Sequence, residues 1–282
     1  MLTVLDSLQK STEFLERKGI ESARLNAELL LAEILKCKRL DLYLRFEKPL
    51  TEEETNKYRD WIARRGKFEP MQYIIGHVEF YGLLFNVNPS VLIPRQETEI
   101  LVETVLDLNK KREGIRILDI GTGSGIIPIT LAKHLKECSI TAIDISSRAI
   151  ETAKQNSIIN QIDGAINFIE QDLFNANFNP GSFDIIISNP PYVSKQEFST
   201  LQKEITDYEP AEAVTDKNDG LTFYRFIIEK GTEWLSENGQ LYFEVGKDQF
   251  EYVKNMMAEK DYKNISVIKD YDKIERVIKG DK

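Results

Sequence analysis

The sequence contains few of the residues that bind metals or form disulfides. Only two cysteines and two histidines occur among its 282 residues. Cys37 and Cys138 are too few for a disulfide framework, and we expect both to be reduced thiols. His77 and His134 are widely separated in the chain. We therefore expect no metal site and no histidine-based catalytic cluster.

Long apolar runs are also missing. No stretch approaches the roughly 18 consecutive apolar residues of a membrane-spanning helix, and the N-terminus lacks the uninterrupted apolar core of a signal peptide. The composition, 41% hydrophobic and 29% charged, is ordinary for a soluble globular protein. These features predict a cytoplasmic protein without a membrane partner, and we expect it to be a monomer.

Positive charge is in the minority. The net charge is −9: residues 1–70 are close to neutral at +1, and the remainder carries −10. An acidic larger part argues against broad, non-specific binding of nucleic acid, so we expect no direct nucleic-acid partner. A local basic patch remains compatible with this charge. The basic segments 36–39 and 64–67 are interpreted as solvated faces, with a partner contact as the alternative.

Residues 1–70 show the apolar spacing of short amphipathic helices. Ser22 is predicted to cap the second helix, and Thr51 with Glu54 forms a capping-box pattern before the fourth. Because no residue cluster here resembles a catalytic site, we predict a helical bundle that docks a partner. Residues 71–95 follow with β-type runs separated by glycines, and are interpreted as a β-hairpin linking two domains. Tyr73–Ile75 is counted among those runs.

Residues 96–282 alternate between strand and helix patterns, which is typical of an α/β doubly wound sheet. The late runs Asn264–Ile268 and Ile274–Ile278 are expected to pair antiparallel at one edge. The other predicted strands are Ile115–Ile120, Ser139–Asp144, Ala165–Ile169, Phe183–Ser188 and Gly239–Val245; the predicted helices are Glu97–Lys110, Gly125–Lys136, Ser147–Gln161, Leu221–Ser236 and Asp248–Lys260.

A glycine-rich turn follows the first of these strands. Its residues are Gly121, Thr122, Gly123, Ser124 and Gly125. Such a turn lets the backbone approach a ligand closely at a helix N-terminus. The next position is not the glycine that the dinucleotide-binding fingerprint requires, and no Gly-Lys-Ser/Thr follows. The loop therefore predicts a ligand site that is neither of these two kinds, and a purely structural turn is the alternative.

Acidic residues end the next two strands. Asp144 is placed to accept hydrogen bonds from two ribose hydroxyls. Asp172 can accept from an adenine amino group, and Leu173 can pack on the ring. Together with the glycine-rich turn and with Asn189 at the next strand end, these residues resemble the S-adenosylmethionine-dependent methyltransferase fold. This resemblance implies S-adenosyl-L-methionine as the cofactor and places Asn189 among the residues that bind it.

The fourth strand ends in Asn189-Pro190-Pro191-Tyr192. The prolines donate no backbone N–H, and Asn189, which precedes a proline, is pushed toward an extended conformation. Asn189 Oδ1 and the Pro190 carbonyl can accept both hydrogens of a planar –NH₂ group, while the Tyr192 ring lies against its plane. A simple loop start is the alternative.

This tetrapeptide resembles that of amino-methyltransferases, which modify adenine N6, guanine N2 or a glutamine side chain. Further motifs, in the same order over nearly the whole chain, resemble the HemK/PrmC family, which methylates the glutamine of the Gly-Gly-Gln tripeptide in class 1 peptide-chain release factors. They are Ala23–Leu30, Gln72–Gly76, Phe80–Gly82, Leu92–Glu99, Tyr208–Pro210, Asp219–Leu221 and Phe243–Gly246.

The resemblance implies a Rossmann-like methyltransferase sheet, a small N-terminal helical domain and a linking hairpin. It also implies that Asn189, Pro190, Pro191 and Tyr192 form the catalytic segment and that the partner is a release factor. This chain departs from the family at Gln96-Glu97, where Pro-Asp is usual, and near Arg276, where a glycine is missing. An amino-methyltransferase acting on adenine N6 or guanine N2 in nucleic acid is the alternative function.

Overall fold

The computed structural model describes residues 2–162 and 164–282. Its helices are α1 (Val4–Arg17), α2 (Ala23–Ile34), α3 (Glu52–Arg65), α4 (Met71–Ile75), α5 (Thr98–Asn109), α6 (Ile126–His134), α7 (Ser147–Ile159), α8 (Lys195–Phe198), α9 (Lys203–Tyr208), α10 (Ala211–Val214), α11 (Thr222–Trp234) and α12 (Phe250–Glu259). Its strands are β1 (His77–Phe80), β2 (Leu83–Asn86), β3 (Arg116–Ile120), β4 (Ser139–Asp144), β5 (Ile166–Glu170), β6 (Phe183–Ser188), β7 (Leu235–Glu244), β8 (Lys263–Lys269) and β9 (Glu275–Asp281).

The chain divides into two compact units. The first contains the residues up to Gly76 together with Gln202–Tyr208, and the second contains His77–Leu201 and Glu209–Lys282. Each unit has its own apolar core. The sequence-based boundaries at residues 70 and 95, and the assignment of the hairpin as a linker, stay predictions.

The first unit is built from helices that share one apolar core. The predicted capping box of α3 is confirmed: Glu54 N donates to Thr51 Oγ1 at 3.2 Å, and Thr51 N donates to Glu54 Oε2 at 2.7 Å. The predicted side-chain cap at Ser22 is wrong. Ser22 has a left-handed backbone with φ of 50°, so its hydroxyl forms no cap on α2.

The β interpretation of Tyr73–Ile75 is also wrong. These residues form the single helical turn α4, which begins after Pro70 and ends at Gly76 with φ of 92°. A proline before the first helical residue and a left-handed glycine after the last residue are typical helix boundaries. The buried Tyr73 and Ile74 side chains give the turn its tertiary packing.

The second unit contains a seven-stranded sheet in the order β5-β4-β3-β6-β7-β9-β8. Strands β3 to β7 are parallel to one another, and β9 is antiparallel to both β7 and β8. This confirms the predicted α/β class and the antiparallel pair at the edge. Strand β7 begins at Leu235, earlier than predicted, because Leu235 pairs with Phe183 beyond a register shift.

The predicted hairpin is confirmed as β1 and β2, which pair antiparallel. Side chains of α7 and of its C-terminal capping residue bond to the backbone of β2. Asn156 Oδ1 accepts from Asn86 N at 2.7 Å, and Asn156 Nδ2 donates to Asn86 O and to Ser124 O at 3.0 and 2.9 Å. Asn160 Nδ2 donates to Leu84 O at 2.8 Å. The hydrogen bonds of these two asparagine side chains connect the hairpin, α7 and the glycine-rich turn.

Among the helices of the described residues, none has both the length and the apolar character needed to cross a membrane.

Candidate functional site

The carboxyl ends of β3, β4, β5 and β6 lie along the same edge of the parallel sheet, and a cavity of about 570 Å³ opens between the loops that follow them. Strands β4 and β5 lie on one side of β3, and β6 and β7 lie on the other. The chain therefore reverses direction across the sheet between β3 and β6. Ligands of open α/β sheets bind at such a switch point.

Most of the predicted site residues line this cavity, and four do not. Its lining includes Gly121, Gly123, Asp144, Asp172, Leu173, Asn189, Pro190 and Pro191. Thr122 and Ser124 are buried, and Gly125 is the residue that precedes α6. Tyr192 lies against the apolar core instead.

The glycine-rich turn packs closely against α7. Gly125 has φ of 82°, and a Cβ atom there would lie 3.0 Å from Ala153 Cβ. Only glycine combines that backbone conformation with so close an approach. At the start of the turn, Gly121 N and Thr122 N both donate to Ile143 O, at 2.9 and 3.0 Å. The turn is therefore tied to both β4 and α7 before any ligand binds.

Asp144 is oriented by backbone donors. Its Oδ2 accepts from Gly123 N at 2.8 Å, and its Oδ1 accepts from Ser146 N at 2.9 Å. Burial raises the pKa of this carboxyl, and these bonds offset part of the rise. Each oxygen keeps a further lone pair, so a carboxylate held in this way can still accept from ribose hydroxyls.

Asp119, at the end of β3, is an acid that the sequence analysis did not select. It is fully buried, and neither carboxyl oxygen has a hydrogen-bond partner within the described residues. Burial raises its pKa to about 7. The nearby Thr122 hydroxyl opposes this rise, although it forms no well-aligned hydrogen bond with the carboxyl. The negative charge of Asp144 adds to the rise. An acid inside the apolar run Ile117–Ile120 was the sequence signal for this residue.

Asp172 has local partners that the sequence could not show. Its carboxylate accepts from Phe174 N at 3.0 Å and from Asn175 Nδ2 at 2.7 Å, which caps a short 3-10 turn. Leu173 is buried at the cavity wall, and Phe174 lies beside it with Phe223 at a ring-centroid distance of 5.4 Å. This end of the cavity therefore offers apolar and aromatic surface for a flat ring.

Asn189 is held by two residues from other elements. Its Nδ2 donates to Thr98 Oγ1 at 3.1 Å, and Thr98 Oγ1 donates to Glu244 Oε2 at 2.7 Å. Thr98 and Glu244 are each 1% exposed. No hydrogen bond reaches Asn189 Oδ1 from the described residues, so this oxygen is left as an acceptor at the cavity wall.

Tyr192 is enclosed by core residues and by the loop before α11. Its carbonyl accepts from Gln249 Nε2 at 2.8 Å, and a Cβ on Gly220 would lie only 2.3 Å from that carbonyl oxygen. Burial raises the pKa of its phenol. The backbone beyond the two prolines is therefore fixed, and the predicted stacking of the Tyr192 ring on a substrate group stays a prediction.

Two wall segments of the cavity, 89–92 and 210–217, were not predicted from local patterns. The buried Glu209 joins them: it accepts from Ile93 N at 3.1 Å and forms an ion pair with Arg95. Arg95 and Glu209 are distant in the chain, so no local pattern predicts their contact. The Pro-Arg and Tyr-Glu-Pro motifs that contain them were the only sequence signals for these wall segments.

The charges around the cavity suit a cationic ligand. Asp144, Asp172, Glu212 and Asp216 line it together with Arg148 and Lys217, and the buried Asp119 lies close to Thr122 and Asp144. S-adenosylmethionine carries a sulfonium and an ammonium group, and a buried carboxylate without a partner is stabilised by such a charge. Within the described residues, no three His, Cys, Asp or Glu side chains are grouped so that they could hold a metal ion.

Family models match both parts of the chain. Residues 6–76 match the PrmC N-terminal domain, and residues 96–209 match the methyltransferase small domain.

Curated relatives match over almost the full length. A release factor glutamine methyltransferase from Fusobacterium nucleatum is 42% identical over 97% of this chain and 77% of its own length. One from Geobacter sulfurreducens is 39% identical over 99% of this chain and 96% of its own.

Solved structures share the fold at low identity. The catalytic domain of hMettl16, solved with an RNA hairpin, is 16% identical with a TM-score of 0.56 and covers 82% of each chain. A methyltransferase from Pyrococcus furiosus is 19% identical with a TM-score of 0.52, over 71% of this chain and 89% of its own. These likenesses support the fold assignment alone.

The first prediction concerns the stability cost of Asp119. Its pKa of about 7 lies above the ordinary 3.8, so its ionisation opposes folding. The contribution of the protonated Asp119 to the free energy of unfolding is fully present below pH 3.8. It is lost as the pH rises from 3.8 to 7, and the loss from this group is complete above pH 7. Asp119→Asn should therefore raise the melting temperature of the cofactor-free protein more at pH 8 than at pH 5. At pH 8 the free energy of unfolding should increase by a value on the order of 2–4 kcal/mol.

The matched control for Asp119 is Asp184→Asn on the adjacent strand β6. Burial favours a higher pKa for Asp184, but the hydrogen bonds from Arg116 and Ser236 outweigh it and lower the pKa to about 2. Asp184→Asn should therefore lower the melting temperature at pH 8. Equal melting temperatures of Asp119→Asn and wild type at pH 8 would contradict the assignment of an unpaired, buried charge.

The second prediction concerns Asp144. Asp144→Ala should weaken binding of S-adenosylmethionine by about 1.5–3 kcal/mol, because ribose hydroxyls lose a charged acceptor. Isothermal calorimetry measures the affinity, and Asp107→Ala, an exposed acid on α5, serves as the control. Unchanged affinity in a folded Asp144 variant would exclude the ribose assignment.

Proposed function

This chain belongs to the release factor glutamine methyltransferase family, and on that premise we propose its reaction. It transfers a methyl group from S-adenosylmethionine to the side-chain amide nitrogen of the glutamine in the Gly-Gly-Gln tripeptide of class 1 peptide-chain release factors. The observation that carries the proposal is the fixed Asn189 amide, whose oxygen remains an acceptor at the wall of an acidic, partly apolar cavity.

The substrate nitrogen is a poor nucleophile because its lone pair is delocalised into the carbonyl. Asn189 Oδ1 and the Pro190 carbonyl each accept one of its hydrogens. Two fixed acceptors orient the lone pair and stabilise the positive charge that grows on nitrogen during transfer.

The remaining cavity residues bind and position the reactants. S-adenosylmethionine, when bound, supplies an electrophilic methyl group on a sulfonium. The glycine-rich turn and Asp144 hold the ribose side, and the wall at Leu173 and Phe174 holds the base. Holding reacting groups at roughly 3–3.5 Å supplies much of the rate enhancement. The acceptors at Asn189 and Pro190 are neutral amide oxygens, so the proton leaves the methylated nitrogen for water after transfer.

We propose that residues 1–70 dock the protein substrate and do not take part in the chemistry. In support, every residue lining the cavity described above belongs to the second unit. The 3-10 helix Arg39–Arg45 exposes 69% of Leu40 and 87% of Leu44. Exposed leucines between basic residues fit a contact with a folded protein surface.

The third prediction tests this docking role in the intact chain. Replacing Leu40 and Leu44 together by serine should raise the KM for an intact release factor roughly tenfold, the effect expected when contact residues are removed. Methylation of a short Gly-Gly-Gln peptide should not change. Equal KM values for wild type and variant on the intact release factor would remove this surface from the docking interface.

The fourth prediction tests the reaction itself. Purified protein with a labelled methyl donor and a release factor should label the Gly-Gly-Gln glutamine, as located by mass spectrometry. Asn189→Ala should slow single-turnover transfer roughly 10²–10³-fold, since an oriented acceptor is lost. Asn189→Asp, nearly isosteric but charged, should also be slow.

The control for Asn189 is Asn255→Ala, an exposed asparagine on α12, which should react at the wild-type rate. Near-normal transfer by Asn189→Asp would assign Asn189 to a merely structural turn. Methyl incorporation into RNA or DNA, with none into the release factor, would overturn the proposed substrate in favour of a nucleobase.

A further inference from the structure

Glu244 is a buried acid in the second unit that no step of the proposed reaction uses. It ends β7, within the apolar run Leu241–Val245, and is 1% exposed. It accepts from the hydroxyl of Thr98, the first residue of α5, and that hydroxyl oxygen accepts from the Asn189 amide. Three separate elements thus place a carboxylate, a hydroxyl and an amide in one chain of hydrogen bonds that ends at the cavity.

The charge of Glu244 fixes the direction of that chain. An ionised carboxylate only accepts hydrogen bonds, so the single hydroxyl hydrogen of Thr98 must point toward Glu244. The Thr98 oxygen is then an acceptor for its other neighbour, which selects the Asn189 nitrogen. The Asn189 oxygen is therefore turned toward the cavity.

We propose that Glu244, acting through Thr98, is a positioning residue that keeps the Asn189 oxygen facing the substrate amide. This inference rests on the proposed function, in which that oxygen accepts an amide hydrogen. A side-chain amide by itself can rotate by half a turn at little steric cost, because its oxygen and nitrogen are nearly the same size. An acceptor-only group at the far end of the chain removes that freedom.

Protonation of Glu244 would reverse the chain. A protonated carboxyl can donate to Thr98, whose hydroxyl hydrogen can then turn toward Asn189. The amide is satisfied in that state with its oxygen toward Thr98 and its NH₂ toward the cavity. Two NH₂ groups would then face each other, and the substrate nitrogen would lose one of its two acceptors.

The surroundings of Glu244 place this change near neutral pH. Burial raises its pKa to about 7, and the Thr98 hydroxyl opposes the rise. The other groups that face it are Glu97, which raises its pKa; Arg276 and the Asn189 amide, which lower it; and the buried phenols Tyr192 and Tyr224. Transfer should therefore be fast above pH 7 and slow below it.

The test is single-turnover methylation of a release factor by the full chain between pH 6 and 9, with saturating S-adenosylmethionine. Calorimetric cofactor affinity is measured at each pH, because Asp119 titrates in the same range. We expect the wild-type rate to fall as the pH drops through about 7. Glu244→Gln keeps the size and removes the acceptor-only group, so its rate should be at least tenfold lower at pH 8 and independent of pH.

Thr98 supplies a pair of variants that separates the relay from packing. Thr98→Val removes the hydroxyl and keeps the shape, so it should be slow and independent of pH. Thr98→Ser keeps the hydroxyl and should restore both the rate and the pH dependence. Tyr242→Phe, which removes a buried hydroxyl from β7 without touching this chain, is the control and should match wild type.

Three outcomes would overturn the inference. The first is that Glu244→Gln and Thr98→Val have the same rates and pH profiles as the wild type. The second is that Thr98→Ser is as slow as Thr98→Val. The third is that the transfer rate of the wild type does not depend on pH. Failure of the proposed function is a different result, namely no methylation of the release factor by wild type or a normal rate in Asn189→Ala.

Discussion

Parallel pairing of the central strands is the constraint on which the site depends. Because β3, β4, β5 and β6 run in the same direction, the segments that follow them must all leave from one edge of the sheet. The glycine-rich turn, Asp144, Asp172 and Asn189 each follow one of those strands. Residues spread over about 70 positions of sequence therefore surround a single cavity, and each is fixed by hydrogen bonds of the backbone or of buried side chains.

The same edge concentrates acids that oppose folding. Asp119 and Glu244 are buried, and burial raises the pKa of each to about 7. Two apolar residues of similar size would stabilise the sheet better. Their positions have a common explanation in the proposed reaction: Asp119 lies close to Asp144, which is proposed to hold the cofactor, and Glu244 orders the hydrogen bonds that reach the substrate. These two buried acids lower the stability of the protein at neutral pH, and they help to orient the groups of the site.

Sequence patterns were most informative where the physical cause is local. The alternation of strands and helices, the Thr51–Glu54 capping box and the hairpin around Gly82 depend on residues close together in the chain, and all three were predicted. The errors arose where tertiary packing outweighed local preference. Tyr73–Ile75 looks like a strand by composition, yet it becomes one helical turn because Pro70 and Gly76 bound it and its side chains enter a core.

By itself, the sequence determined the α/β class, the strand-end residues of the site and the resemblance that pointed to the family. It could do so because a buried parallel strand requires a short apolar run, and a ligand loop at its end requires glycine or a polar side chain next to that run. Only the tertiary structure decided which of those residues meet. The bonds from Asn189 to Thr98 and from Thr98 to Glu244 join positions 91 and 146 residues apart, and no local pattern specifies a partner at that distance. The pairing follows from the packing of α5 against β7, which brings the Thr98 hydroxyl within hydrogen-bond distance of both Glu244 and Asn189.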